Sequence, residues 1–391
     1  MKEVYLDWAA TAPVDTRILE RMKEASIAAY GNPSSTHNAG RDARSRIEGA
    51  RTVCAGLLGI SPSQLLFTSG GSESNAISLL SLLRRKRSGR ILISSIEHAS
   101  VWELGPLFSE LGYEVVHLKP NKDGLVEAES VSRKLSPDTV AVAVMGVNNE
   151  TGAIQPIKEI GDHIRSYERI HDTSIHFHCD MVQALAKIPI DLSTLPVDTA
   201  AFSGHKIGAP RGIGMLYIRN SFPVLFTGGG QEHGMRPGTE NTPAIAALEL
   251  ALQNRFVDAK TDFSLACEIS EYLCNGIQET DGCRFIPENR RENTGRFSPY
   301  IVSFSVAPVP GEVFARVLSD RGILIGTGSA CSSNRRKKKA RVLDSMGVPE
   351  DIAAGVVRVS FSHTTTISDV DTFVRVMRKE LAILQRTLRR K

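Results

Sequence analysis

The chain has 391 residues, 41% of them hydrophobic and 23% charged, with a formal net charge of +4. That is enough apolar material for two or three domains with substantial cores, and too mild a charge to point to nucleic acid. No apolar run approaches the ~20 residues of a membrane helix, and the opening Met1–Asp7 lacks the basic-then-apolar layout of a secretory leader, so a cytoplasmic protein without membrane or direct nucleic-acid partners is expected.

In chain order, short apolar or β-branched runs predict strands at Leu65–Thr68, Ile91–Ser95, Glu114–Leu118, Val140–Met145, Ile175–Cys179, Thr199–Ser203 and Gly214–Ile218. Helices are predicted between them, including Glu73–Arg85, Val101–Leu111 and Ile157–Tyr167. This alternation implies an α/β fold whose large domain holds a mainly parallel, seven-stranded sheet with both faces covered. Ligands on such sheets gather at the carboxyl ends of the strands. After a helix at Ala244–Phe256 the character changes. A long amphipathic helix at Thr261–Glu279 leads to a polar connection at Pro287–Pro299. Strand Tyr300–Val306, helix Gly311–Asp320, strands Gly322–Ile325 and Val356–Phe361 and a last helix at Ile367–Leu388 come next. The predicted division is a large domain over 13–256 and a smaller α+β domain made of 1–12 and 257–391.

The six cysteines form no C-x-x-C pair and no zinc spacing. In a reducing compartment buried thiols behave as small hydrophobes. Cys331 differs, because it stands in a polar loop with Gly326 and Gly328 before it.

Ser203-Gly204-His205-Lys206 comes after a predicted strand, so Lys206 can reach a strand-end pocket, where desolvation and neighbouring positive charge favour a usable amine. Taken alone, Lys206 reads far more readily as a solvated surface lysine, and its company changes that. Asp180 ends a strand and suits either a protonated pyridine nitrogen or the N-cap of the next helix. His176 and His178 share a face with it by period-two alternation; H-x-H admits a metal, but no third ligand is evident and packing or supporting roles are preferred. Thr68–Asn75, TSGGSESN, joins a strand to a helix and offers backbone N–H groups to an anion such as phosphate. It also reads as an ordinary helix start, and it lacks the P-loop spacing.

Together these segments resemble the cysteine desulfurases of the class V aminotransferase family, fold-type I pyridoxal-phosphate enzymes. The resemblance rests on Tyr5-Leu6-Asp7 with Ala9-Ala10-Thr11, Tyr30–Ser35, the TSGGSESN segment, Glu97-His98, Asn148–Gly152, Asp180 with Gln183, Ser203–Lys206, Arg236–Asn241, Gly328–Cys331 and Arg358, in the family's order. It implies a pyridoxal 5'-phosphate held by Lys206, which also shuttles the α-proton. It implies that His98 lies on the ring and assists proton transfer, that Asp180 pairs with the ring nitrogen, and that Asn149 and Gln183 lie near the cofactor oxygen and the substrate. Gly71, Ser72, Ser203 and His205 would hold the phosphate, with Thr239 reaching it from the partner of a homodimer. Arg358 would bind the carboxylate of L-cysteine, and Cys331 would take its sulfur as a persulfide, leaving L-alanine. The sulfur would then pass to an acceptor protein, an iron–sulfur scaffold or a thiolation enzyme. No resident metal is expected, although Cys331 is a candidate transient iron–sulfur ligand.

Two features depart from the family pattern. Trp8 stands where a small polar residue is usual, and packing at the domain junction is the preferred reading over a narrowed pocket mouth. Arg335-Arg336-Lys337-Lys338-Lys339 lies just beyond Cys331; it reads as a solvated basic loop or as a field that docks an acidic partner or lowers the thiol pKa. The cluster Arg84–Arg87 suits a helix C-terminus. Other reactions of the same family, a catalytically silent scaffold and an iron–sulfur protein are the alternatives; the loop thiol argues for sulfur chemistry, and the scattered cysteines argue against a cluster.

Overall fold

The computed structural model describes residues 3–84, 88–327 and 340–389. Seven strands form one sheet: β2 (Leu65–Thr68), β3 (Arg90–Ser94), β4 (Glu114–Leu118), β5 (Thr139–Ala143), β6 (His176–Asp180), β7 (Thr199–Ser203) and β8 (Gly214–Ile218). Their order across the sheet is β2-β8-β7-β6-β5-β3-β4. Only β8 runs against its neighbours; the pairs from β7 to β4 are all parallel. Every residue of β5, β6, β7 and β8 is buried, which is why these strands read as nearly continuous apolar runs: helices cover both faces.

A second sheet is built from β1 (Val4–Leu6), β9 (Arg284–Ile286), β10 (Ile301–Ser305), β11 (Ile323–Thr327) and β12 (Val356–Ser360), in the order β1-β11-β12-β10-β9. The pair β1–β11 is parallel and the rest antiparallel. β1 is the piece that matters for the site, because its pairing carries Asp7, Ala9 and Ala10 from the start of the chain to the C-terminal elements, with Asp7 bridged to Ser360.

The cores track the two sheets. Leu92, Val142, Phe177, Ala200 and Phe202 belong to one apolar cluster, and Leu6, Leu273, Phe304, Phe314, Val357 and Phe373 to another. Val342 and Met346, late in the chain, pack into the first cluster. A buried Arg51 binds Glu232 at 2.7 and 2.9 Å, and Glu232 also accepts from Phe67 N. The pair therefore ties the segment leading to Thr239 back to helix Asn38–Leu57 and to β2. Breaking a buried pair of this kind typically costs about 3–5 kcal/mol.

Several predicted elements change on folding. The helix expected over Val101–Leu111 is two, Ala99–Trp102 and Leu104–Glu110, with Pro106 in the first turn of the second, where its missing N–H costs least. The helix expected to reach Arg85 spans Gly71–Leu80 and tightens into a 3-10 turn over Ser81–Arg84; Arg85–Arg87 lie outside the described residues. The three-residue strands β1 and β9 were not predicted, being too short to show alternation.

Candidate active site

The parallel strands all release their loops at one edge of the large sheet. β2 leads to Gly71 and Ser72 at the start of helix Gly71–Leu80, and β3 leads through Glu97 to His98. β5 leads to Asn149, β6 ends on Asp180, and β7 ends on Ser203 before His205 and Lys206. Apart from Glu97, these residues line one cavity of about 320 Å³ together with Gln183, Arg358, and Ala9 and Ala10 from the N-terminal segment. A Cβ at Gly71 would come within 2.7 Å of Val182 Cγ2, so glycine lets the helix start approach the β6 loop and turn its free N–H groups to the cavity.

Asp180 is held from two sides. Its Oδ1 accepts from Val182 N at 3.0 Å and its Oδ2 from Asn75 Nδ2 at 2.8 Å. Asn75 Oδ1 in turn lies 2.9 Å from His178 Nε2, and His178 Nδ1 lies 2.8 Å from Thr199 Oγ1. His176 is bound to Ser78 and Thr199. The H-x-H pair thus buttresses Asp180, with both ring nitrogens of His178 and Nε2 of His176 spent on hydrogen bonds. Burial pushes the His178 pKa down to about 3, helped by His176, so the ring is neutral and Nε2–H donates to Asn75. Among the described residues no cluster of three or more His, Cys, Asp or Glu could hold a metal ion.

Lys206 Nζ donates to the carbonyls of Ala9 and Ala10, each at 2.7 Å. His98 caps the short helix Ala99–Trp102 through Nδ1, which accepts from Ser100 N. Burial lowers its pKa, Asp180 opposes this, and Lys206 and Arg341 add to it; a neutral imidazole suits proton exchange near neutrality. His205 is pushed down to about 4, mainly by burial and then by Lys206. Arg358, on β12, reaches across to donate to Asn149 O at 2.8 Å and to Asp7 Oδ1 at 2.7 Å. Its Nε is buried without a partner among the described residues.

Two carboxyls flank the cavity residues. Glu97 Oε1 accepts from Ser94 Oγ and Met145 N, and burial raises its pKa to about 8. Burial raises Glu150 to about 7 against the pull of Arg358 and Arg341. Neither was singled out from the sequence, and nor were Asn75, Ser100 or Met145. Asn75 was visible only as the last letter of the TSGGSESN motif.

Not every expected residue joins this cavity. Thr239, expected to serve the site of a partner, is exposed and does not line this cavity. Cys331 and the tract 335–339 lie outside the described residues. Trp8 packs edge-on to Tyr5 at 5.7 Å and donates from Nε1 to Tyr5 O at 3.0 Å; it belongs to the core of the second sheet, not to the cavity lining. The described thiols differ in setting: Cys54, Cys179 and Cys274 are buried, Cys283 half-buried and Cys267 exposed.

The model of the aminotransferase class-V family matches residues 4–373. A NifS/IcsS protein homolog of Lactobacillus delbrueckii subsp. bulgaricus is 38% identical over 95% of this chain and 95% of its own length. The cysteine desulfurase IscS of Dictyoglomus turgidum is 33% identical over 97% of this chain and 94% of its own. A solved NifS-like protein superposes with a TM-score of 0.88 at 33% identity, covering 97% of this chain and all of that one. The fold, the edge at which the cavity opens and these likenesses agree: the chain belongs to the class-V aminotransferase family of pyridoxal-phosphate enzymes.

Proposed function

We propose that this chain is a pyridoxal-phosphate-dependent cysteine desulfurase that converts L-cysteine to L-alanine and leaves the sulfur as a persulfide on Cys331. The observation that carries this reading is the meeting, in one cavity, of the Lys206 amine, the Asp180 carboxylate and the Arg358 guanidinium.

The residues present fit pyridoxal phosphate. Asp180 is a buried carboxylate with donors on both oxygens, and the glycine at 71 keeps open a helix start that suits a phosphate. Gly71, Ser72, Ser203 and a neutral His205 hold the phosphate, and Asn149 and Gln183 serve the ring oxygen. When bound, the cofactor supplies an electron sink for the substrate's Cα. Lys206 anchors it and then carries the α-proton. Asp180 keeps a proton on the ring nitrogen, because a fixed anion stabilises the cation beside it. His98, neutral at working pH, takes and returns protons. Arg358 binds the substrate carboxylate with two N–H groups, a task suited to its planar fork, and its unpaired Nε supports that assignment.

The Cys331 thiolate attacks the sulfur of bound cysteine. An S–S bond forms as the substrate Cβ–S bond breaks, and Cβ takes a proton to give alanine. The chain acts as a homodimer in the cytoplasm, Thr239 completing the partner's phosphate site, and delivers sulfur to an acceptor protein for iron–sulfur assembly or thiolation. The unit formed by 1–12 and 257–391 carries Arg358 and Cys331 in its sequence, and the large unit of 13–256 binds the cofactor. No helix of the described residues is long and apolar enough to cross a membrane.

The test is incubation with L-cysteine, with alanine and the intact mass then measured. One extra sulfur on Cys331 and equimolar alanine are expected. Cys331→Ala should still take up pyridoxal phosphate and yield neither product. A Cys331→Ala enzyme that releases alanine at the normal rate overturns the reading.

A further inference from the structure

Lys187 is an amine that the desulfurase reaction does not use, yet it is buried and sits one turn beyond Gln183. Met181–Ile188 folds into successive turns, with Leu185 N on Met181 O and Lys187 N on Ala184 O. This brings the Lys187 side chain back to residue 183, where Nζ donates to Gln183 Oε1 at 2.9 Å.

The bond settles which way the Gln183 amide points. Its nitrogen must face an acceptor and its oxygen a donor. Nε2 donates to Ala9 O at 2.9 Å, and Oε1 takes the lysine. With both ends held, a flip would set Nζ against an NH₂ group and Ala9 O against a carbonyl oxygen. One N–H of the amide is then left for the cavity that Gln183 lines. The same Ala9 carbonyl accepts from Lys206 Nζ, so Lys187, Gln183, Ala9 and Lys206 form a continuous run of hydrogen bonds.

The charges facing Lys187 are all positive: Lys206, Arg255 and Arg358 disfavour its protonation, and His205 is within its field. Burial and these neighbours bring its pKa down to about 7. A buried amine so placed is costly, and no ion pair of the described residues includes it. Methionine would fill the same volume without that cost.

We propose that Lys187 is a positioning residue that locks the Gln183 amide with its N–H toward the oxygen of the pyridoxal ring. This rests on the cofactor reading of the cavity. Lys187 does not line the cavity, and its hydrogen bond reaches the cavity through Gln183.

The experiment is a double-mutant cycle on pyridoxal-phosphate affinity, read by equilibrium titration of the full chain stripped of cofactor, with Lys187→Met, Gln183→Met and the pair. Lys187→Met should weaken the cofactor about 10-fold, the scale of one hydrogen bond to a charged group. The double variant should be no weaker than Gln183→Met alone, because the hydrogen bond from the lysine goes to Gln183. Unfolding by urea checks that each variant is folded, and Lys187→Gln, which keeps a donor, serves if Lys187→Met does not fold; it should restore part of the affinity. Additive losses, or unchanged affinity in Lys187→Met, overturn the proposal. A wild-type chain that takes up no pyridoxal phosphate overturns the cofactor reading instead, so the two failures are told apart before any variant is made.

Discussion

Two sets of polar groups beside the cavity, a floor under Asp180 and a wall of Glu97, Glu150 and Arg358, handle their polar atoms in contrary ways. Beneath Asp180, the polar atoms of Asn75, His178, Thr199 and Ser78 are paired into one buried network. In the wall, Glu97 Oε2, Glu150 Oε2 and Arg358 Nε are buried without a hydrogen-bond partner among the described residues. A fully paired network is rigid and holds its anion ready for a fixed positive charge. Groups left unpaired are costly; burial raises the pKa of both carboxyls, while Arg358 holds Asp7 Oδ1 through another of its N–H groups. The floor is therefore held in one arrangement, and the wall keeps unused donor and acceptor capacity.

The largest effect should come from the residue between the two. Lys206→Ala should abolish covalent cofactor attachment and lower alanine formation about a thousand-fold or more, measured by absorbance and by product assay.

The wall can be tested through pH. The Glu97 pKa is raised from 4.5 to about 8, so the folded chain holds a proton that the unfolded chain releases between those values. Stability is therefore highest below the unfolded value and is lost as pH rises through the folded one. Glu97→Gln removes this dependence while Oε1 still accepts from Ser94 and Met145. Between pH 5.5 and 8.5 the wild type should lose on the order of 2–4 kcal/mol more than the variant, read from urea midpoints at both pH values. Parallel curves would show that the wall carries charged carboxylates after all.

The floor should answer to mutation with little pH dependence. Asn75→Leu leaves an Asp180 oxygen and a His178 N–H unpaired and should cost about 2–3 kcal/mol, with weaker cofactor binding as the second readout. The smallest change is expected at Trp8. Trp8→Phe loses only the bond to Tyr5 O and part of a core contact, about 1 kcal/mol, with no change in KM for cysteine. A raised or lowered KM would move Trp8 from the core to the pocket mouth.

Much of this was legible in the chain. Strand–helix alternation announced the parallel sheet, since buried strands must be apolar throughout, and the loops at strand ends announced the Thr68–Asn75 segment, Asp180 and Lys206, while His98 came from the family resemblance. The pairings were not. Asn75 and His178 are 103 residues apart in sequence, and nothing local marks either as the other's partner. Glu97 stood beside a recognised histidine, but its protonation depends on burial, which no tetrapeptide reveals. β1 escaped notice because three residues cannot display a period, although it brings Ala9 and Ala10 to Lys206.

What the sequence determined by itself was the kind of chemistry: a lysine, a carboxylate, a glycine-opened helix start and a loop cysteine, in an order that fits one family. Those depend on residue type and spacing along the chain, which are local properties. What only the tertiary structure decided was how each group is held and charged. Asp180 is anchored through Asn75, Lys206 rests on carbonyls from the start of the chain, and Arg358 arrives from the second sheet. Desolvation and hydrogen-bond partners depend on which distant segments meet, and those meetings exist only once both sheets have closed around the cavity.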